Sequence, residues 1–383
     1  VTLDWLEDDL NERRRHGLYR VRRRLQSAQG PHVRFHGRDF VNFSSNDYLN
    51  YAADPRLANA AARAARRYGC GAGASALVSG RLPPLRALER DLARWEGTEA
   101  ALVFNSGYVA NLAVVGALAQ SNDAVFSDAL NHASLIDGCR LSRASVHVYR
   151  HADLDHLADL LKHETARRRF IVCDSVFSMD GDLAPLAGLL ELAERFDCVV
   201  LLDEAHATGV LGEHGRGLTD LLPAGAFPSE RVVKVGTLSK ALGSQGGFVC
   251  GSRRLIAWLV NHARPYIFST ALAPPAAAAA RCAVDLVQTE PERRRHVLSL
   301  AEHLRTALCA FGKPVGASCC QIVPVIVGDA RAATALAHRL EEQGLLAPAI
   351  RPPSVPEGTA RLRISLSAGH STEDVDRLIA ALS

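Results

Sequence analysis

Two short runs in this 383-residue chain end apolar stretches on groups that can exchange protons. "LLDEAH" (201–206) leaves Asp203 and His206 where a hydrophobic run stops, and "VGTLSK" (235–240) leaves Thr237 and Lys240 in the same way. "VFNSGYVAN" (103–111) passes from a strand-like run through Ser-Gly-Tyr into a helix start, where main-chain N–H groups and the helix dipole suit a phosphate. "SDALNHAS" (127–134) puts His132 on a loop behind another apolar run. The chain has four lysines, Lys162, Lys234, Lys240 and Lys313, and of these Lys240 follows a strand end. DEAH is also an ATPase motif, but that reading needs an upstream G-x-x-x-x-G-K-[ST] loop. There is none, and the one Gly-Lys pair, Gly312-Lys313, precedes Pro314. A single ligand accounts for all these groups if it carries a phosphate, a ring nitrogen that wants a carboxylate and an aldehyde that wants an amine. Pyridoxal 5'-phosphate is that ligand. Each residue alone has an ordinary alternative, since a strand-end Asp also caps loops and His132 also suits a turn.

These residues need a scaffold that gathers strand ends. From about 100 to 270, β-rich runs ("ALVFNSG", "DAVFSD", "SVHVYRH", "RFIVCDSVFS", "CVVLLDEAH", "RVVKVGTLSK", "GGFVCG") alternate with stretches of helical spacing such as "DLDHLADLLKHETARRR". Such alternation predicts an α/β domain with a mostly parallel sheet covered on both faces, and a ligand site beyond the carboxyl ends of its strands. After a helical stretch at 272–312 the pattern changes to strand "QIVPVIVGD", helix "ARAATALAHRLEEQG", strands around "LLAPAI" and "ARLRISLSA", and a final helix opened by Ser371 with Asp374 three residues on. This predicts a smaller C-terminal α+β domain. The expected division is an N-terminal helical arm and strand segment at 1–50, a large α/β domain at 51–270 and the smaller domain at 271–383.

Bulk properties narrow the function classes. Hydrophobic residues make up 48% and charged residues 22%, with a net charge of +3, which gives no field that would recruit nucleic acid or membrane. No apolar stretch has the length of a membrane span. The opening "VTLDWLEDDLNERRR" lacks the basic-then-apolar order of a signal peptide, and the expected address is cytoplasmic. Nine cysteines without a C-x-x-C pair read as thiols in a reducing compartment, and no metal is expected. The run "RRRHGLYRVRRR" (13–24) resembles a nucleic-acid arm, but Glu7, Asp8, Asp9 and Glu12 precede it and no aromatic ladder accompanies it. A solvated helix face fits it better.

The ordered stretches "GLYR", "FSSNDYL", "LVSG", "NSGYVANL", "NHASLIDG", "DSVFSMDGD", "DEAHATGVLGEHGRG", "GTLSKALGSQGG", "FSTALAPP" and "RPPSVPEGTARLRISLSAGH" resemble the α-oxoamine synthases over nearly the whole chain. These are fold-type I pyridoxal phosphate-dependent transferases with a large and a small domain. The resemblance implies that Lys240 carries the cofactor, Asp203 faces the pyridine nitrogen, His206 and Ser178 lie on the phenolic side, and His132 stacks on the ring. It implies phosphate-side contacts from Gly107, Tyr108 and Thr237, with Thr270 reaching the phosphate from a neighbouring subunit. Arg363 matches the arginine that pairs with the amino-acid carboxylate, and Asn46 and Arg20 match substrate-side positions. The loop "GCGAGASALVSG" departs from the family pattern, with Ala74 and Ala76 where relatives often have Gly.

Members of the family condense an amino acid with an acyl thioester, with decarboxylation. The C-terminal "AIRPPSVPEGTARLRISLSAGH" is most similar to members that join L-alanine to pimeloyl-CoA or pimeloyl-acyl carrier protein in biotin biosynthesis, and less so to members that use glycine. "FSSNDYL" and "FSTALAPP" resemble segments that relatives insert into a partner's site, which implies a homodimer with shared active sites. Local turns within one chain are the alternative for both.

Overall fold

The computed structural model describes residues 2–223, 227 and 230–383. The chain divides into two compact units, one of Asn46–Ser178 and Asp182–His296, the other of Val1–Ser45, Met179–Gly181 and Val297–Ser383. The helix Pro274–Thr289, which lies past the expected 270/271 division, belongs to the larger unit.

Among the described residues the larger unit is built on seven strands: β1 (Ala100–Phe104), β2 (Ala124–Asp128), β3 (Ser145–Tyr149), β4 (Arg169–Asp174), β5 (Cys198–Asp203), β6 (Val232–Thr237) and β7 (Gly247–Gly251). They form one sheet in the order β1-β7-β6-β5-β4-β2-β3. β7 is antiparallel to both neighbours and the other pairings are parallel. Every residue of β2, β6 and β7 is buried, as expected of strands covered on both faces, whereas β3 at the edge exposes Val146 and Val148. Alternate residues feed two cores. Phe170, Val172 and Leu201 pack on one face with Ala113 and Val114 of the helix Gly107–Leu118. Ile171, Cys173, Val200 and Leu202 pack on the other face with Leu157 and Leu189, from the helices Leu154–His163 and Leu186–Arg195. That period of two is what fixes which strand-end side chains point the same way.

In the smaller unit the strands His32–Phe35 and Arg38–Asn42 form a hairpin whose two loop residues, His36 and Gly37, both have positive φ (49° and 74°), the geometry of a tight primed turn. Leu345–Leu346 pairs in parallel with Arg38–Asn42. Ile322–Gly328 and Ala349–Ile350 flank Ala360–Ser365 in a second antiparallel sheet. The helix Thr372–Leu382 opens with a capping box in which Ser371 and Asp374 satisfy each other's main-chain N–H groups. Helix Trp5–Arg15 buries none of its residues, and its basic last turn (Arg13, Arg14, Arg15) complements the helix dipole.

Candidate active site

The carboxyl ends of five parallel strands supply the chemistry. β5 ends on Asp203, buried at 5% exposure, whose Oδ1 accepts the Ala205 N–H at 2.8 Å and whose Oδ2 accepts Asn111 Nδ2 at 2.6 Å. The turn after β5 presents His206. Its Nε2 lies 2.9 Å from Lys240 Nζ and its Nδ1 lies 2.6 Å from the Tyr48 hydroxyl, which bonds Asn46 Oδ1 at 3.0 Å. Asn46, Tyr48, His206 and Lys240 are therefore one hydrogen-bonded chain ending at an amine. Lys240 lies beyond β6 in a turn held by Thr237, whose Oγ1 donates to the Gly246 carbonyl at 3.0 Å and accepts the Ser239 N–H at 3.2 Å.

The other lysines differ. Lys234 is buried within β6 against Glu96 at 2.5 Å, and Lys162 pairs on an exposed helix with Asp159 at 2.7 Å. Lys240 instead meets the His206 imidazole at 2.9 Å.

β1 leads into a helix whose first turn is capped by Ser106. A Cβ added at Gly107 would lie 3.3 Å from Thr237 Cβ and Oγ1, and one at Gly247 would lie 2.6 Å from Gly107 Cα. The helix N-terminus is thus pressed against the end of β6, and its leading N–H groups face the same edge as Thr237. Tyr108 sets its ring edge-on to His132, with centroids 6.3 Å apart, and its hydroxyl donates to Asp137. Asn105 Nδ2 donates to the Thr270 carbonyl at 2.8 Å, so exposed Thr270 borders this turn within its own chain.

His132 follows β2. Its main-chain N–H donates to Asp174 Oδ2 at 2.6 Å, and its Nδ1 meets Ser134 at the start of the next helix. His132 is exposed as a residue, yet the protein packed around its imidazole desolvates it enough to push its pKa down, opposed by Asp203 and reinforced by Lys240. Asp174 ends β4 in register with Asp203. Burial, and then the Asp203 charge beside it, push the Asp174 carboxyl well above the usual range. Ser178 is half-buried on the loop whose ends pair at Val176 and Leu183.

The larger unit thus gathers Asn46, Gly107, Tyr108, His132, Asp203, His206, Thr237 and Lys240 around adjoining strand ends, with Ser178 and Thr270 on loops of the same unit. Arg363 and Arg20 belong to the smaller unit. Arg363 is buried on the strand Ala360–Ser365, its guanidinium donating to Ser365 Oγ at 2.7 Å. Arg20 is exposed and lines a cavity with Tyr19, Ser44, His338 and Arg351. The sequence reading missed Tyr48, Asn111, Ser134 and Asp174. The strand-end rule that selected Asp203 also selects Asp174 in "FIVCD". The Glu of DEAH serves the backbone: Glu204 accepts the Leu218 and Thr219 N–H groups at 2.9 and 3.0 Å.

Residues 38–382 match the aminotransferase class I and II family. The chain belongs to that family. Among members of the family, it is 51% identical over 382 residues to an 8-amino-7-oxononanoate synthase of Anaeromyxobacter dehalogenans, covering 100% of this chain and 95% of that one. It is 48% identical to one of Alkalilimnicola ehrlichii, covering 98% and 96%. Among solved structures, a serine palmitoyltransferase of Sphingomonas wittichii matches with a TM-score of 0.92 at 30% identity over 100% of this chain and 97% of that one. A structure of SPT with a PLP internal aldimine matches with a TM-score of 0.92 at 30% identity over 99% and 96%. The 8-amino-7-oxononanoate synthase of Francisella tularensis matches with a TM-score of 0.77 at 26% identity over 90% and 96%. The fold is that of fold-type I pyridoxal phosphate-dependent transferases, and the residues at the strand ends fit the cofactor. A half-buried amine lies beside an imidazole, a buried carboxylate closes β5, and the Gly107–Thr237 approach leaves a side-chain-free helix N-terminus.

Proposed function

We propose that this pyridoxal phosphate-dependent acyltransferase condenses L-alanine with a pimeloyl thioester, carried on coenzyme A or acyl carrier protein. The products are 8-amino-7-oxononanoate, carbon dioxide and the free thiol, in biotin biosynthesis. The observation that carries the reading is Lys240, the one lysine of four set 2.9 Å from His206 at the sheet edge that Asp203 closes, in a chain half identical to synthases of that name.

When bound, pyridoxal phosphate supplies an aldehyde that an amine can capture and a ring that accepts an electron pair from a substrate Cα. Lys240 Nζ would hold the aldehyde, and as a free amine it would take the substrate Cα proton and return one. His206 Nε2 orients that amine from 2.9 Å. Asp203 would keep the pyridine nitrogen protonated, His132 would cover the ring face, and Ser178 and His206 would serve its phenolic side. Gly107, Tyr108 and Thr237 would hold the phosphate, with Thr270 contributed from a second copy in a homodimer. Arg363 pairs with the alanine carboxylate through its fork of donors, and Asn46 and Arg20 serve the substrate side. Carbon–carbon bond formation at the thioester carbonyl expels the thiol, and loss of the former alanine carboxylate releases carbon dioxide. No described helix is long and apolar enough to cross a membrane, and five cysteines are buried as thiols, which suits a reaction in the cytoplasm.

The test is to incubate the purified protein with pyridoxal phosphate, pimeloyl-CoA and alanine, glycine or serine in turn, and to identify the product by mass. The expected result is 8-amino-7-oxononanoate from alanine with the fastest thiol release. A product from glycine or serine alone would overturn the substrate assignment.

A further inference from the structure

The helices that follow β1 and β2, Gly107–Leu118 and Ala133–Ser142, bury Asn111 and Ser134 near their starts, exposed to 1% and 0%. The Asn111 amide nitrogen has two hydrogens to give. It lies 2.6 Å from Asp203 Oδ2 and 2.8 Å from Ser134 Oγ. The amide cannot be turned over, because its oxygen would then face a carboxylate. That oxygen has no partner among the described residues, and leaving a buried acceptor unpaired is costly, so the donor side is what the fold retains.

The Ser134 oxygen accepts from Asn111 and lies 2.7 Å from His132 Nδ1. The Ser134 main-chain N–H, which can only donate, also points at Nδ1, at 3.3 Å. A ring nitrogen that faces a main-chain N–H presents its lone pair, so the neutral imidazole carries its hydrogen on Nε2 and the Ser134 hydroxyl donates to Nδ1 as the second donor.

We propose that Asn111 and Ser134 are positioning residues: Asn111 donates in two directions, fixing the carboxylate of Asp203 on one side and, through the Ser134 hydroxyl, the Nε2–H tautomer of His132 on the other. The two groups assigned to the cofactor's ring nitrogen and ring face are thereby set by one buried amide. What those groups face rests on the reading given under the proposed function. The relay itself consists of hydrogen bonds within the larger unit. The other groups around His132 divide. Asp203 and Asp137 favour a charged imidazole, Lys240 and burial favour a neutral one, Asp174 takes only its main-chain N–H, and Tyr108 meets the ring edge-on.

The experiment is nitrogen NMR of the histidine-labelled, pyridoxal phosphate-loaded protein, with the His132 signals identified by their loss in His132→Asn. In the wild type, Nδ1 should resonate as an unprotonated nitrogen and Nε2 as a protonated one. In Ser134→Ala, which removes one of the two donors to Nδ1, the imidazole should take up its second proton at about tenfold lower hydrogen-ion concentration, because the neutral form has lost support. Asn111→Ala should reproduce part of that change and weaken pyridoxal phosphate binding about tenfold, read by equilibrium dialysis. A proton on Nδ1 in the wild type would overturn the proposal without any variant, as would an unchanged His132 titration in Ser134→Ala. These readouts need no turnover. An intact relay with no condensation product would therefore contradict the proposed reaction alone, and normal condensation with Nδ1 protonated would contradict the relay alone.

Discussion

Lys234 and Lys240 are six residues apart on and just beyond the same strand, and the fold makes opposite use of them. Lys234 points into the covered part of the sheet, fully enclosed, and bonds Glu96 at 2.5 Å and the Arg216 carbonyl at 2.8 Å. Burial alone would drive its proton off, but the charges of Glu96 and then Glu204 more than offset that and raise its pKa. Lys240 lies past the strand end with a neutral-capable imidazole as its neighbour. An amine locked to a carboxylate cannot act as a base or nucleophile, whereas one resting on an imidazole can give and take a proton. The contrast shows that on this sheet position relative to the strand end, more than residue type, separates structure from chemistry.

The sharpest break of that contrast is to delete each lysine. Lys240→Ala should lower kcat by roughly 10³-fold or more, since it removes the proton shuttle, with a smaller loss of thermal stability than Lys234→Ala. Lys234→Ala should do the reverse. Leaving Glu96 buried without its partner costs about 3–5 kcal/mol, measurable by urea unfolding, while the protein that remains folded turns over normally. Equal loss of activity per folded molecule in both variants would end the distinction.

The same comparison holds for the carboxyls at neighbouring strand ends. Asp203→Asn removes the charge assigned to the ring nitrogen and should cost roughly 10²-fold or more in kcat. Asp174 is pushed by burial and by Asp203 toward its neutral form, which Asn imitates in size and polarity, so Asp174→Asn should cost less than about tenfold. Steady-state kinetics of the pair, at saturating pyridoxal phosphate, decides it.

A gentler effect concerns the loops behind the site. His151 bridges Asp128 at 3.0 Å and Asp182 at 2.8 Å, and although burial opposes its charge, the two carboxylates raise its pKa to about 10. A raised histidine pKa stabilises the fold fully below the unfolded value near 6.5, and that contribution is lost as pH rises toward 10. Stability should therefore fall across pH 6.5 to 10 in the wild type, and His151→Gln should flatten that slope in urea titrations. Smallest of all, Lys162→Ala removes only an exposed pair with Asp159 and should leave the melting temperature and kcat unchanged within error.

What could be read from the amino-acid order follows a physical line. The strand ends were legible because a buried parallel strand is a continuous apolar run and must stop where polar groups begin, and the last helix was legible because Ser371 and Asp374 form a purely local device. Asn111 was not legible. It lies in a helix of apolar residues and acquires its role only by meeting Asp203, ninety-two residues away, and Ser134, twenty-three away. Tyr48 sat inside a recognised stretch, yet its bond to His206 spans 158 residues. Lys234 and Glu96, 138 residues apart, form a pair that no local pattern announces. Periodicity reports which face is buried, and long-range polar partners are settled by how the helices pack on the sheet.

The most direct test of the account is to reduce the yellow, pyridoxal phosphate-loaded protein with borohydride, digest it and map the modified peptide. The account predicts a single pyridoxyl label on Lys240, in the peptide that contains "GTLSKALG". Label on Lys162, Lys234 or Lys313, or reduction that leaves every lysine unmodified, would contradict it.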